Sequence, residues 1–332
     1  MQIQSENFAQ TTWYTLSNDD EVSVTVSTLG ASLVAVRTPD QTGRRENILL
    51  GFTDPDDYPQ HHDYFGATVA RVAGRIKNGR WHGIQFDQND GANTMHGGDH
   101  PSISYQQWQV VAQQTDPEAA TLTLQYQSPA GENGFPGHLT IQTTYCLNQD
   151  HLTITYDGTT DAATLFNPTC HAYFNLSGNV KRTIDEQFLQ VDAQQVAALD
   201  HKVPTGTMMP VAGTPYDFRQ ARQLGPQLAQ LDGGLDTPYR VDSAAAAPQL
   251  TLSDPLSGRK LRIHTSANSI VLFSTTGFDA DFQVDGIRPM TSQLGLAIEP
   301  QMLPDAIHHP DFGSIVITPN QPGHYQNQYW FQ

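Results

Sequence analysis

Apolar side chains recur at every second position in run after run along this chain. Val22, Val24 and Val26 are interleaved with Ser23, Thr25 and Ser27. The same period holds for Leu122, Leu124 and Tyr126, for Leu139 and Ile141, and for Leu152, Ile154 and Tyr156. It returns in Leu250 with Leu252, Leu261 with Ile263, and Ile270 with Leu272. Successive side chains of an extended chain point to opposite faces, so each run predicts a strand with one face packed and the other wet. Turn residues part the runs at 131–137, Asn148-Gln149-Asp150, Asp157-Gly158 and Ser257-Gly258. Only 219–231 can hold a short helix, and no alternation of strands with long helices is visible. The pattern therefore predicts an all-β chain, a large antiparallel β-sandwich read as one domain over residues 1–332. No repeat of fixed period is evident, and the one low-complexity patch, 244–248, is too brief for a linker.

Two segments place titratable groups inside such a pattern. In Leu165-Phe166-Asn167-Pro168-Thr169-Cys170-His171-Ala172-Tyr173-Phe174-Asn175-Leu176, alternation after Pro168 assigns His171, Tyr173 and Asn175 to one face. Ala172, Phe174 and Leu176 take the other. In Leu294-Gly295-Leu296-Ala297-Ile298-Glu299, the large residues share one face while Gly295 and Ala297 lead up to a single carboxylate on the other. A charged group at an inward strand position is uncommon enough to suggest chemistry. A histidine acid and a glutamate base on two strands are the least equipment needed to move protons on a neutral substrate.

Composition narrows the partners. The chain has 332 residues, with 17 Lys and Arg against 34 Asp and Glu, a formal charge of −17. That balance argues against nucleic acid and anionic membrane surfaces, which attract basic patches. Charged residues make up only 15%, so much of the polar surface is amide and hydroxyl, which suits neutral polyol ligands. Cys146 and Cys170 form no spacing motif, and no disulfide scaffold is expected. The first seven residues lack the basic and apolar regions of a signal peptide, and no apolar run approaches the roughly 20 residues that span a bilayer. A soluble cytoplasmic protein is the expectation.

Three further segments hold candidate ligand-binding groups. An arginine inside the apolar stretch Ala70-Arg71-Val72-Ala73-Gly74-Arg75-Ile76 can donate a fixed fork to hydroxyls or a carboxylate, although a surface salt bridge is the commoner use. In Asn93-Thr94-Met95-His96-Gly97-Gly98, the paired glycines allow a sharp turn beside His96. Asp236, in Gly233-Gly234-Leu235-Asp236-Thr237-Pro238-Tyr239, can accept bonds from hydroxyls or merely organise a turn. The glycines at 131, 134 and 137 have the wrong spacing for a phosphate loop. The adjacent pairs His61-His62 and His308-His309 point to opposite faces of a strand and rarely chelate one metal. No serine sits in a nucleophile elbow. No metal and no organic cofactor is implied.

Taken together, these segments resemble the aldose 1-epimerase (galactose mutarotase) family. The stretch 70–76 is similar to its two-arginine segment, 93–98 to its histidine–glycine motif, and 167–176 to its central signature. Gly131-Glu132-Asn133-Gly134-Phe135-Pro136-Gly137 and Gly213-Thr214-Pro215-Tyr216-Asp217-Phe218-Arg219 match two further landmarks, and the Glu299 strand makes six in order. The resemblance implies a large β-sandwich with an open sugar cleft and no cofactor. It implies His171 as general acid and Glu299 as general base. It implies that Arg71, His96 and Asp236 hold sugar hydroxyls and that Tyr173 lines the pocket. Of the two arginines, Arg71 is preferred over Arg75, because the family's first arginine is the one expected to reach the sugar. The chain departs from the family at Ala70 and Gly74, where many members carry glycine and asparagine. It departs again at Thr237-Pro238, where many carry a histidine, and near Val271-Leu272, where some place a glutamine.

The reaction implied is interconversion of the α and β anomers of free aldoses such as galactose or glucose. Glu299 takes the proton of the anomeric hydroxyl, His171 protonates the ring oxygen, and the opened aldehyde recloses after rotation about C1–C2. Two rivals follow from the same residues. A glycoside hydrolase would use Asp236 with Glu299 as its carboxylate pair, and a non-catalytic sugar-binding protein would reuse the cleft without turnover. A sugar-phosphate epimerase would need clustered Arg or Lys, which this chain lacks beyond Arg71 and Arg75.

Overall fold

The three longest alternating runs become neighbouring ten-residue strands, Ala119–Ser128, Leu139–Asn148 and His151–Thr160. Their register sets Leu122 beside Tyr145 and Tyr145 beside Ile154, and all three are fully buried. The alternation expected from sequence is thus kept strand by strand. The computed structural model describes residues 1–19 and 21–332. These three strands sit in a nine-stranded antiparallel sheet, running from Gln109–Thr115 through Gly323–Phe331 and Lys260–Thr265 to Phe188–Val191 and Arg222–Gln223. A five-stranded sheet is built from Gln2–Asn7 to Arg45–Asn47. Its Ser23–Ser27 strand is buried on both faces rather than wet on one. The buried hydroxyls are satisfied by neighbours: Ser27 Oγ lies 2.9 Å from Thr11 Oγ1, and Thr25 Oγ1 lies 3.0 Å from Thr15 Oγ1.

A six-stranded antiparallel sheet carries Tyr173, Asp236 and Glu299. Its order is Tyr173–Phe174, Leu296–Gln301, Ser269–Phe273, Asp236–Arg240, Gln195–Asp200 and Val203–Pro210. Leu296, Ile298, Ile270 and Leu272 point into the same core cluster as Leu122 and Ile154, so the two large sheets close over one apolar interior. Because the side-chain period is two, the residues between them are forced to the opposite face. On that face Glu299 pairs across with Val271, Val271 with Pro238, and Phe273 with Asp236. Leu294 is the exception: it packs with Ala297 in a second cluster rather than with Leu296 and Ile298. The expected helix is only Leu224–Leu228, since Arg222–Gln223 is taken up as a sheet edge. No helix among the described residues is long and apolar enough to cross a membrane.

Candidate active site

The His171 segment is not one continuous strand. Thr169–Cys170 pairs with Thr68–Val69, and Tyr173–Phe174 pairs with Leu296–Gln301. His171 and Ala172 make the step between the two. The His171 backbone is pinned there, its N–H donating to Ala67 O at 2.9 Å and its carbonyl accepting from Gly66 at 3.0 Å. The imidazole consequently faces Glu299, with Nε2 3.4 Å from Oε1, and both side chains are about 5% exposed. Gln301, two residues on and so on the same face, donates to Glu299 Oε2 at 3.3 Å. Asn175, expected beside His171, turns elsewhere because the strand breaks. Its amide donates to Arg182 O and Leu294 O, which locks the loop behind the site.

Burial moves the two titratable groups toward their neutral forms. Loss of water pulls the His171 imidazole down to about 4. Loss of water, with the Asp236 charge adding to it, pushes the Glu299 carboxyl up to about 8. Imidazolium with carboxylate, and imidazole with carboxylic acid, contain the same single mobile proton. The two groups titrate as a unit that holds that one proton between about pH 4 and about pH 8. Such a pair can give a proton at one atom of a substrate and take one at another.

The pair lies in a cleft of about 210 Å³, lined also by Tyr64, Arg75, His96, Tyr173, Lys202, Asp236 and Phe273. His96 reaches it from a turn that only glycine permits. A Cβ on Gly97 would lie 2.3 Å from Ala70 O, and its φ is +79°. The Gly74 N–H donates to His96 Nδ1 at 3.3 Å, which leaves the ring's proton on Nε2 as a donor. The Tyr64 ring meets His96 edge-on at 4.8 Å and tilts over His171 at 5.7 Å, closing one wall. Arg75 donates through Nε to Asp90 at 2.7 Å, which orients the guanidinium while its other nitrogens have no hydrogen bond among the described residues. Asp236 lies 3.5 Å from Lys202 Nζ at the cleft margin.

Arg71 is not brought to the cleft, contrary to the expectation from sequence. It is 1% exposed. Its guanidinium donates to Ser128 Oγ, Pro136 O, Thr164 Oγ1, Ser128 O and Pro129 O, at 2.8–3.2 Å. Those five bonds use all five N–H groups, so none is left for a ligand. Arg75, four residues later, stands where Arg71 was expected. Sequence reasoning passed over Tyr64 and Lys202, whose types and spacing carry no signal. Gln301 was legible in principle from its period-two relation to Glu299.

The nitrogens of His96 and His171 and a Glu299 oxygen lie within 4.8 Å of one another, close enough to suggest a metal triad. The Gly74 hydrogen bond opposes that use, because a ring accepting at Nδ1 presents N–H rather than a lone pair from Nε2. The donor set suits hydroxyl groups better than a cation.

Comparisons with known proteins place the chain in a family. The aldose 1-epimerase family model matches residues 12–330. The chain is 33% identical to a maltose epimerase of Levilactobacillus brevis, over 93% of this chain and 91% of that one. It is 29% identical to the galactose mutarotase of Mus musculus, over 94% and 91%. The crystal structure of a galactose 1-epimerase from Lactobacillus acidophilus superposes with a TM-score of 0.88 at 28% identity, covering 100% of this chain and 99% of that one. That of an aldose epimerase homologue from C. elegans gives 0.89 at 27% identity, covering 97% and 99%.

Proposed function

Because the chain belongs to the aldose 1-epimerase family, and is therefore an isomerase of sugar anomers, we propose that His171 and Glu299 exchange the protons of that reaction on an aldose held in the cleft. The observation that carries this reading is the buried 3.4 Å contact between them at the cleft floor. Ring opening begins with Glu299 as carboxylate and His171 as imidazolium. Glu299 takes the proton of the anomeric hydroxyl, His171 gives its proton to the ring oxygen, and the C1–O5 bond breaks to leave the aldehyde. Glu299 is then the acid and His171 neutral. After rotation about C1–C2 the same transfers run backwards on the other face of the carbonyl, so the pair ends with the proton it began with.

Burial favours the neutral pair in the open cleft, which is the arrangement poised for ring closure. Ring opening needs the proton on His171 instead. Sugar hydroxyls that donate to the Glu299 carboxylate, together with the Arg75 charge, supply that shift. Arg75, His96 and Asp236 hold the hydroxyls, and Tyr173 and Tyr64 wall the ring. Arg75 takes the role first expected of Arg71. The whole chain works as one domain, since a single core cluster draws on residues from Leu16 to Tyr329.

The hydrolase alternative is not favoured: the relatives are named as epimerases or mutarotases, and Asp236 is tied to Lys202. Polarimetry of freshly dissolved α-glucose, α-galactose and maltose tests the proposal. The enzyme should speed the approach to the equilibrium rotation of at least one. Only the spontaneous rate with all three, or release of reducing sugar from an aryl glycoside, overturns it.

A further inference from the structure

Beside the cleft lies a second, larger hollow of about 450 Å³. The two share Leu199, Lys202, Asp236 and Phe273, so they form one continuous track across the face of the six-stranded sheet. The Lys202–Asp236 ion pair stands at the junction. Lys202 sits in the turn between Gln195–Asp200 and Val203–Pro210 and is 61% exposed, so its side chain can move without disturbing the core. The far hollow is lined by Tyr216, Met209, Asp232 and Thr276. The segment that carries its lining residues Gly234 and Asp236 is fixed rather than loose: Leu235, between them, accepts from Ser274 N–H at 3.0 Å and donates its own N–H to Ser274 Oγ at 2.9 Å. Met209 is 38% exposed, a large apolar side chain left open to solvent. The Tyr216 hydroxyl has no hydrogen-bond partner among the described residues. An apolar floor with a free hydroxyl and a carboxylate at its rim is the chemistry that takes the ring face and hydroxyls of a sugar.

We propose that this hollow is a subsite for a second sugar ring carried on the aldose. The reducing ring of a disaccharide is then turned over at His171 and Glu299 while its other ring rests on Tyr216 and Met209. The Lys202–Asp236 pair marks the passage of the glycosidic link, with Asp236 offering hydroxyl contacts to the first ring and Lys202 to the second. The substrate assignment rests on the acid–base reading above, but the existence of the subsite does not.

Initial rates for maltose, lactose and cellobiose, compared with glucose and galactose, test the proposal in wild type, Tyr216→Ala and Met209→Asp. Both residues lie outside the proton-transfer site, and Met209 is exposed enough that its replacement leaves folding intact. With either variant, kcat/KM for the best disaccharide should fall about tenfold while that for the monosaccharides stays within about twofold. Equal losses on both classes, or no loss on either, overturn the subsite. If wild type turns over none of the sugars, the acid–base reading fails on its own. Calorimetric titration with maltose and glucose then decides the subsite. Tighter binding of maltose that Met209→Asp abolishes supports it, and equal binding of the two sugars refutes it.

Discussion

Glu299 and His171 are both kept from water, and that shared burial moves them in opposite directions on the pH scale. Below about pH 4 the pair takes up a second proton and loses its base; above about pH 8 it gives up its only proton and loses its acid. The kcat/KM profile should therefore be flat between those limits and fall on either side. A profile that turns over near pH 6 would mean that burial does not move the two groups apart. Glu299→Gln keeps shape and hydrogen bonding but cannot accept a proton, so kcat should fall by about 10²-fold or more. Its effect on stability has a definite sign. The folded carboxyl sits above its ordinary value of 4.5, so the wild type loses stability as pH rises from there through about 8. The Gln variant does not, and its melting temperature should gain on the wild type by several degrees between pH 5 and pH 9. The two arginines should separate cleanly. Arg75→Ala should raise KM about tenfold or more with little change in melting temperature. Arg71→Ala strands a set of buried acceptors and should destabilise the fold by about 2–4 kcal/mol, seen as a lower urea midpoint.

Elements meet at the site through side-chain clamps as well as sheet ladders. Asn167 bonds both ways to Met302, donating to its carbonyl at 3.1 Å and accepting from its N–H at 2.8 Å. Thr169 Oγ1 donates to Pro300 O at 2.9 Å, just beyond Glu299. These bonds tie the His171 segment to the end of the Glu299 strand, adding to a two-residue ladder and to the bond from Ile298 N–H to Ala172 O at 3.2 Å. Asn167→Ala leaves two backbone groups unpaired and should cost about 3 kcal/mol of stability. It should also lower kcat while leaving KM near its wild-type value, because it loosens the 3.4 Å proton-transfer contact without touching the hydroxyl-binding groups. An unchanged kcat at reduced stability would restrict Asn167 to a folding role.

The whole molecule assembles the cleft from segments spread between His62 and Pro304. The cleft face lies on the back of strands whose other face fills the main core, so the cleft exists only when both large sheets are formed. Loss of activity in urea should coincide with loss of the fluorescence of Trp108, which is buried in that core. Activity lost well before the fluorescence transition would show that the cleft opens as a separate unit. The net charge of −17 is only weakly echoed at the site itself, where Arg75 and Lys202 stand against Asp63, Asp236 and Glu299. It acts at the scale of the molecule, opposing contact with anionic surfaces.

Much of the architecture was present in the sequence because strand chemistry is local. A period of two in Leu122, Leu124 and Tyr126, or in Leu152, Ile154 and Tyr156, already says which side of a strand is packed. The same logic placed Glu299 opposite Ile298 and set His171 beside Tyr173. What alternation cannot carry is the point at which a strand stops. Asn175 left the face of His171 because the strand ends at Phe174. The choice between Arg71 and Arg75 was equally out of reach. Both lie in one apolar stretch, and only the arrival of Ser128, Pro129, Pro136 and Thr164, residues 57 to 93 positions away, consumes one guanidinium, while the other is held by Asp90 through Nε alone. Tyr64 and Lys202 join the site by the same route, through contacts between distant segments that no local pattern records. Local periodicity determined the strands and the faces of the proton-transfer pair; long-range packing decided which polar groups were spent on the fold and which remained for the ligand.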